Sequence, residues 1–213
     1  MIKTRFIGID PAGENADPVR AIAAALLEDA VAAYPTETFY ALGAAAFSRR
    51  AVEKVYRLKS RDTGKPLSVI ASDLDMVGEI SVSLPPSFRA LAAEFWPGPL
   101  TLVLPAAARL PDFMLGPGRT IAVRIPPLPW LRALVREVGQ PVTATSANLS
   151  GEKELAGPAE VAAVFQGKID MIVDGGPAPG GAPSTIVDLT SPEPRILRLG
   201  KIPEARIRAI LQS

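Results

Sequence analysis

The sequence predicts an α/β protein built on an open, twisted, mixed sheet with flanking helices. Three observations carry that expectation. Segments with apolar residues three and four apart alternate with short apolar runs bounded by Gly and Pro, the pattern of helices and strands taking turns along a chain. The C-terminal half is richer in strand-like runs, which favours a mixed sheet over an all-parallel one. The 213 residues show no internal repeat and no linker long enough to separate a second domain, so one domain over residues 1–213 is expected.

Each element has its own local reason. Residues 5–9 read as a first strand. Asp17-Pro18 has the signature of a helix start, and Ile22, Ala25 and Leu26 continue it as an apolar stripe, so a helix is expected over 18–28. The apolar run 30–34 is a buried strand ended by Pro35, and the polar turn Thr36-Glu37-Thr38 follows. Ser48 can cap a helix whose Val52, Val55, Tyr56 and Lys59 fall at i, i+3, i+4 and i+7. A strand over 67–71 and a short helix over 73–79 come next. Pro85-Pro86-Ser87 opens a helix with Phe88, Leu91, Ala92 and Phe95 on one face, and Trp96-Pro97-Gly98-Pro99 is a rigid turn into a strand over 100–104. After a Pro/Gly-rich loop, strand 120–125 carries Arg124 close to its end. Residues 129–138 form a helix closed by Gly139, 142–145 a strand, and 146–151 the loop after it. A helix over 158–165, a strand over 171–173, a Gly/Pro-rich loop over 174–183, strands over 185–189 and 195–199, and a helix over 203–211 complete the chain.

Composition narrows the chemistry. There are no cysteines and no histidines. Disulfides, thiolate metal sites, Ser-His-Asp triads and imidazole bases are therefore excluded. What remains is Lys, Arg, carboxylates, hydroxyls, backbone dipoles or a hard cation held by oxygen. The formal net charge of +1 gives no global basic footprint, so any nucleic-acid binding would need a local patch. No run reaches the roughly 18 apolar residues of a membrane helix. Asp10 interrupts the short apolar start, so no signal peptide is expected and a soluble cytoplasmic protein is.

Several residues could carry chemistry. Lys59, Arg61 and Lys65 cluster across a helix end and the loop after it, where cations can surround a polyphosphate or simply form a solvated surface. A cation at the helix C-terminus is also favourable to the dipole. Ser146-Ala147-Asn148 follows a strand, where open α/β sheets bind ligands and where ordinary turns also occur. Arg124, inside an apolar strand, needs a partner, which a substrate anion or a structural carboxylate would supply. Ser184-Thr185 and Arg198 are similar candidates near the C-terminus.

The combination is more specific than its pieces. YPTETFYALG at 34–43, LKSRDTGKPL at 58–67, WPGPLTLVLP at 96–105, IAVRIP at 121–126, TSANLSG at 145–151, DGG at 174–176, STIVDL at 184–189 and LRLG at 197–200 occur in one order over about residues 15 to 205. This series resembles the YrdC/TsaC family of threonylcarbamoyl-AMP synthases. The family's K-x-R…S-x-N signature is met by Lys59, Arg61, Ser146 and Asn148.

The resemblance implies a YrdC-like fold around a deep basic cavity. It implies a nucleotidyltransferase that turns L-threonine, bicarbonate and ATP into threonylcarbamoyl-AMP and pyrophosphate, feeding N6-threonylcarbamoyladenosine modification of tRNA. Thr38, Arg124, the backbone of Ala144 and Ser184 would bind threonine. Lys59, Arg61, Lys65, Thr120, Ser146, Asn148 and Arg198 would bind ATP, with Lys59 and Arg61 catalytic. Mg2+ would arrive with the nucleotide, since no carboxylate cluster resembles a dedicated metal cage. Residues 151–157 depart from the Ser-Pro-Thr-like run common in the family, so no ligand is assigned there, and Ile70 stands where some longer members carry histidine. The chain's end at Ser213 fits the short type, which passes its adenylate to separate transferase proteins. Two alternatives belong to other classes: a non-catalytic module binding double-stranded RNA or tRNA, and an enzyme acting on another carbamoyl compound.

Overall fold

The computed structural model describes residues 2–61 and 66–212. The first half runs β1 (Arg5–Gly8), α1 (Ala16–Leu27), β2 (Ala32–Pro35), β3 (Tyr40–Gly43), α2 (Arg49–Lys59), β4 (Val69–Ile70), α3 (Leu74–Ile80), α4 (Pro86–Phe95) and β5 (Leu100–Pro105). After a 3-10 turn at Asp112–Met114 come β6 (Thr120–Arg124), α5 (Pro129–Val138), β7 (Val142–Thr143), β8 (Thr145–Ser146), α6 (Pro158–Phe165), β9 (Met171–Asp174), β10 (Thr185–Asp188), β11 (Arg195–Arg198) and α7 (Glu204–Leu211).

The α/β class holds and both parallel and antiparallel pairs occur, but the strands divide between two sheets instead of lying in one. Five strands take the order β1-β9-β2-β3-β8 and six take β11-β10-β5-β6-β4-β7. The expected strand over 142–145 is the reason they stay linked. It splits at Ala144: Val142–Thr143 pairs with β4 in one sheet and Thr145–Ser146 with β3 in the other. Ser68 holds the crossing point, its carbonyl accepting from Ala144 N at 2.8 Å and its hydroxyl donating to Ala144 O at 2.7 Å. Ser146 therefore sits on a strand, not in the loop expected from its turn-forming neighbours.

The helices follow the local signals closely. Ser48 caps α2 by accepting from Ala51 N at 3.1 Å, an interaction worth about 1 kcal/mol. Gly139 closes α5 in the left-handed region, φ 69°, as a C-terminal glycine should. Helix α1 begins two residues before the expected position, at Ala16. Pro18 still falls within the first turn, where its missing N–H bonds nothing anyway, and Asp17 pairs with Arg20 instead of capping.

Strand β3 has no counterpart in the sequence reading. All four of its residues and all four of β2 are buried, so neither shows the alternation that betrays a half-exposed strand. Gly43 makes their pairing possible: a Cβ there would lie 2.1 Å from the Tyr34 ring. One apolar layer packs α1 and α5 (Ile22, Leu26, Leu131, Leu134) against β2 and β9, and a larger one fills the space among α2, α4, α6 and the six-stranded sheet. Among the described residues, no helix is long and apolar enough to cross a membrane.

Candidate functional site

The turn between β2 and β3 is built by its own hydroxyls. Thr36 Oγ1 donates to Phe39 O at 2.7 Å and accepts from Thr38 N at 3.2 Å. Its single proton is thus used. The 3.0 Å bond between the two threonine hydroxyls must take its proton from Thr38, which leaves the Thr38 oxygen as an acceptor. Gly180 N reaches Thr38 O at 2.7 Å, so the Gly-rich loop is tied to this turn.

Arg124, at the end of β6, finds the partner its burial demands in Glu37 of that turn. Its Nη1 donates to Glu37 Oε1, and the two side chains are 8% and 11% exposed. Lys201 Nζ donates to the Glu37 carbonyl at 2.6 Å. The second carboxylate oxygen, Glu37 Oε2, is buried with no hydrogen-bond partner among the described residues. A guanidinium has five donors, so one ion pair orients Arg124 without exhausting it.

Ser184, just before β10, is fixed from two sides. Its hydroxyl lies 2.9 Å from Thr101 Oγ1 and accepts from Arg198 Nη2 at 3.1 Å. Arg198 also donates to the Ser184 carbonyl from Nε and Nη2, at 3.2 and 2.9 Å. Burial pushes the Arg198 guanidinium below its ordinary pKa, Glu154 opposes this, and Arg124 adds to it.

The K-x-R…S-x-N residues form a different kind of assembly. Lys59 is 2% exposed, and its ammonium donates to Ser146 O, to Asn148 O at 2.7 Å and to Asn148 Oδ1 at 3.0 Å. Ser146 Oγ donates to the same Asn148 Oδ1 at 2.6 Å, and Asn148 Nδ2 donates to Glu152 O. Burial, reinforced by Arg61 and opposed by Glu154, lowers the Lys59 pKa to about 8.

These elements converge on one cavity of about 360 Å³, walled by both sheets. Of the residues singled out from sequence, Thr38, Arg61, Arg124, Ala144, Ser146, Ser184 and Arg198 line it. Lys59 and Asn148 lie behind Ser146, bonded to it. Thr120 is not in the described lining; its hydroxyl donates to Pro117 O at 3.2 Å. Lys65 lies outside the described residues. The Ala144 N–H is taken by Ser68, so only its carbonyl retains capacity for a ligand.

The sequence reading missed two carboxylates: Glu37, the partner behind Arg124, and Glu154, which lines the cavity. The need of Arg124 for a buried carboxylate was the available signal for Glu37; nothing pointed to Glu154. A larger hollow of about 600 Å³ beside α3, α4 and α5 holds none of the candidates. It is lined by charged side chains of its own, Asp73, Asp75, Arg89, Arg132 and Arg136, of which Asp73 and Arg136 form a loose 3.6 Å pair on exposed surface. No group of three or more carboxylates able to hold a metal exists among the described residues.

Two mixed sheets closing on a cavity lined by three arginines and several hydroxyls define an α/β protein suited to a small anionic ligand. The chain belongs to the Sua5–YciO–YrdC family, described as "Telomere recombination", whose model matches residues 24–200. It is 40% identical over 212 residues to the threonylcarbamoyl-AMP synthase of Bacillus subtilis (strain 168), a match covering 98% of this chain and 61% of that protein. It is 37% identical over 180 residues to the threonylcarbamoyl-AMP synthase of Chromohalobacter salexigens, covering 84% and 97%. The crystal structure of P. abyssi Sua5 complexed with L-threonine superposes with a TM-score of 0.92 at 35% identity, covering 98% of this chain and 61% of that one. The chain thus spans about 60% of the length of the Bacillus relative and of Sua5.

Proposed function

We propose that this protein is an L-threonylcarbamoyladenylate synthase, joining L-threonine, bicarbonate and ATP into threonylcarbamoyl-AMP with release of pyrophosphate. The observation that carries the reading is the single cavity in which Arg124, Thr38 and Ser184 meet Arg61, Ser146 and Arg198. The names of the curated relatives and the threonine complex of Sua5 support the choice of substrates.

Arg124 holds the threonine carboxylate, oriented by Glu37. The Thr38 oxygen, the Ala144 carbonyl and the Ser184 hydroxyl hold the remaining polar groups of the amino acid. Arg61, Ser146 and Arg198 receive the nucleotide from the cavity wall, and the family pattern adds Lys65 and Thr120 to them. Lys59 and Asn148 act through Ser146, by fixing the wall against which the phosphates lie. Threonine's amine combines with carbon dioxide drawn from bicarbonate to give a carbamate and releases a proton. A carbamate oxygen then attacks the α-phosphorus in line; the new P–O bond forms as the bond to the β-phosphate oxygen breaks and pyrophosphate leaves. No side chain needs to act as a histidine-like base, and positioning with charge stabilisation supplies the rate. Mg2+ bound with the nucleotide would neutralise phosphate charge. The adenylate passes to separate transferase proteins for tRNA modification in the cytoplasm.

The test is pyrophosphate release from purified protein with ATP, Mg2+ and bicarbonate, with and without L-threonine. Threonine-dependent release together with an adenylate of the right mass is expected. Absence of release, alongside salt-dependent tRNA binding, would replace this reading with the RNA-binding one.

A further inference from the structure

Glu154 is the only acidic side chain among the described residues that line the cavity. It stands on the segment 151–157, to which the family resemblance assigns no ligand. The backbone around it is anchored: Asn148 Nδ2 donates to Glu152 O, Tyr40 N to Leu155 O at 2.9 Å, and Ala178 N to Ala156 O at 2.7 Å. The carboxylate is therefore presented from a fixed strip of chain beside β3. It shares the cavity wall with Arg61 and Arg198, and its charge opposes the lowering of the Lys59 and Arg198 pKa values. The ion pairs formed among the described residues do not include it; Glu37, the other carboxylate near the site, pairs with Arg124 through Oε1 and is not part of the cavity lining.

A carboxylate in a cavity meant for polyphosphate is a liability. It repels the ligand that Arg61 and Arg198 attract. A divalent cation reverses the sign of that interaction, because Mg2+ is commonly held by one or two carboxylates together with substrate phosphates. We infer that Glu154 supplies this protein's oxygen ligand to the divalent cation carried by the bound nucleotide, so that the cavity selects the metal–nucleotide complex over the free nucleotide. The inference rests on the nucleotide reading of the cavity proposed above.

Calorimetric titration with ATP, in the absence of threonine and bicarbonate so that nothing turns over, separates the possibilities. The wild-type protein is expected to bind ATP with Mg2+ about tenfold or more tightly than ATP with a chelator. Glu154→Gln should bring the two affinities within about threefold, with free ATP binding more tightly than to wild type and the Mg2+ complex more weakly. A folded Glu154→Gln protein that keeps the wild-type preference overturns the inference and leaves the synthase reading intact. If wild type binds neither form, the nucleotide reading itself falls. A second measurement needs no variant. Protein labelled with 13C at glutamate carboxylates, bound to ATP and Mn2+, should show a 13C coupling to the metal by electron–nuclear double resonance. Its absence would overturn the inference equally.

Discussion

The two ends of the cavity hold their cations in opposite ways. At the Lys59 end all three ammonium donors are spent on Ser146 and Asn148, and the charge is sealed 2% exposed behind the wall. At the Arg124 end a buried guanidinium is aimed by one carboxylate and keeps donors for the cavity it lines. A lysine whose hydrogen bonds all end within the protein shapes a site. An arginine with donors to spare can bind in it. The difference follows from side-chain chemistry, since three donors on a point charge can be saturated by one loop and five donors on a planar fork cannot.

The largest effect should come from the Arg124 end. Arg124→Ala leaves Glu37 as a buried carboxylate without its partner, an expected loss of about 3–5 kcal/mol in chemical denaturation together with loss of threonine binding. Lys59→Met tests the other end. If Lys59 is a wall anchor, the substitution should lower stability by about 2–3 kcal/mol and weaken ATP and threonine unequally, ATP more. Weakened ATP binding with unchanged stability would make Lys59 a direct ligand contact and break the comparison.

Ser184→Ala is smaller. Removing a hydroxyl shared by Thr101 and Arg198 should raise the KM for threonine about tenfold while costing about 1 kcal/mol of stability. The smallest effect is in pH. Burial holds Lys59 near 8 against an ordinary 10.5. Between those values the unfolded chain binds the proton and the folded chain does not, so the contribution of Lys59 to stability rises with pH there. Nucleotide affinity should move the other way, falling by about threefold from roughly pH 7 to 9 as the wall loses charge. Lys59→Met should abolish that fall.

Legibility followed locality. Helices α2, α4, α5 and α6 could be read to within a residue, because apolar spacing, a capping serine, prolines at the first turn and a closing glycine all act within a few positions. Strand β3 and the change of sheet at Ala144 could not, because two- to four-residue strands buried on both faces have no periodicity to show. Among the site residues, Thr38, Ser146 and Ser184 announced themselves by their turns and strand ends. Glu37 stands in the same turn as Thr38, but its identity as the partner of Arg124 is settled only when the two, 87 positions apart in sequence, are brought together.

The sequence by itself determined the α/β class, most element boundaries and the absence of imidazole and thiol chemistry, since each is a matter of composition or of neighbours along the chain. Tertiary structure alone decided that there are two sheets, that Arg124 is paired with Glu37, that Lys59 faces the loop and not the cavity, and that Glu154 faces the cavity. Those outcomes depend on where distant segments pack. The same ammonium or carboxylate costs or contributes free energy according to what that packing sets against it.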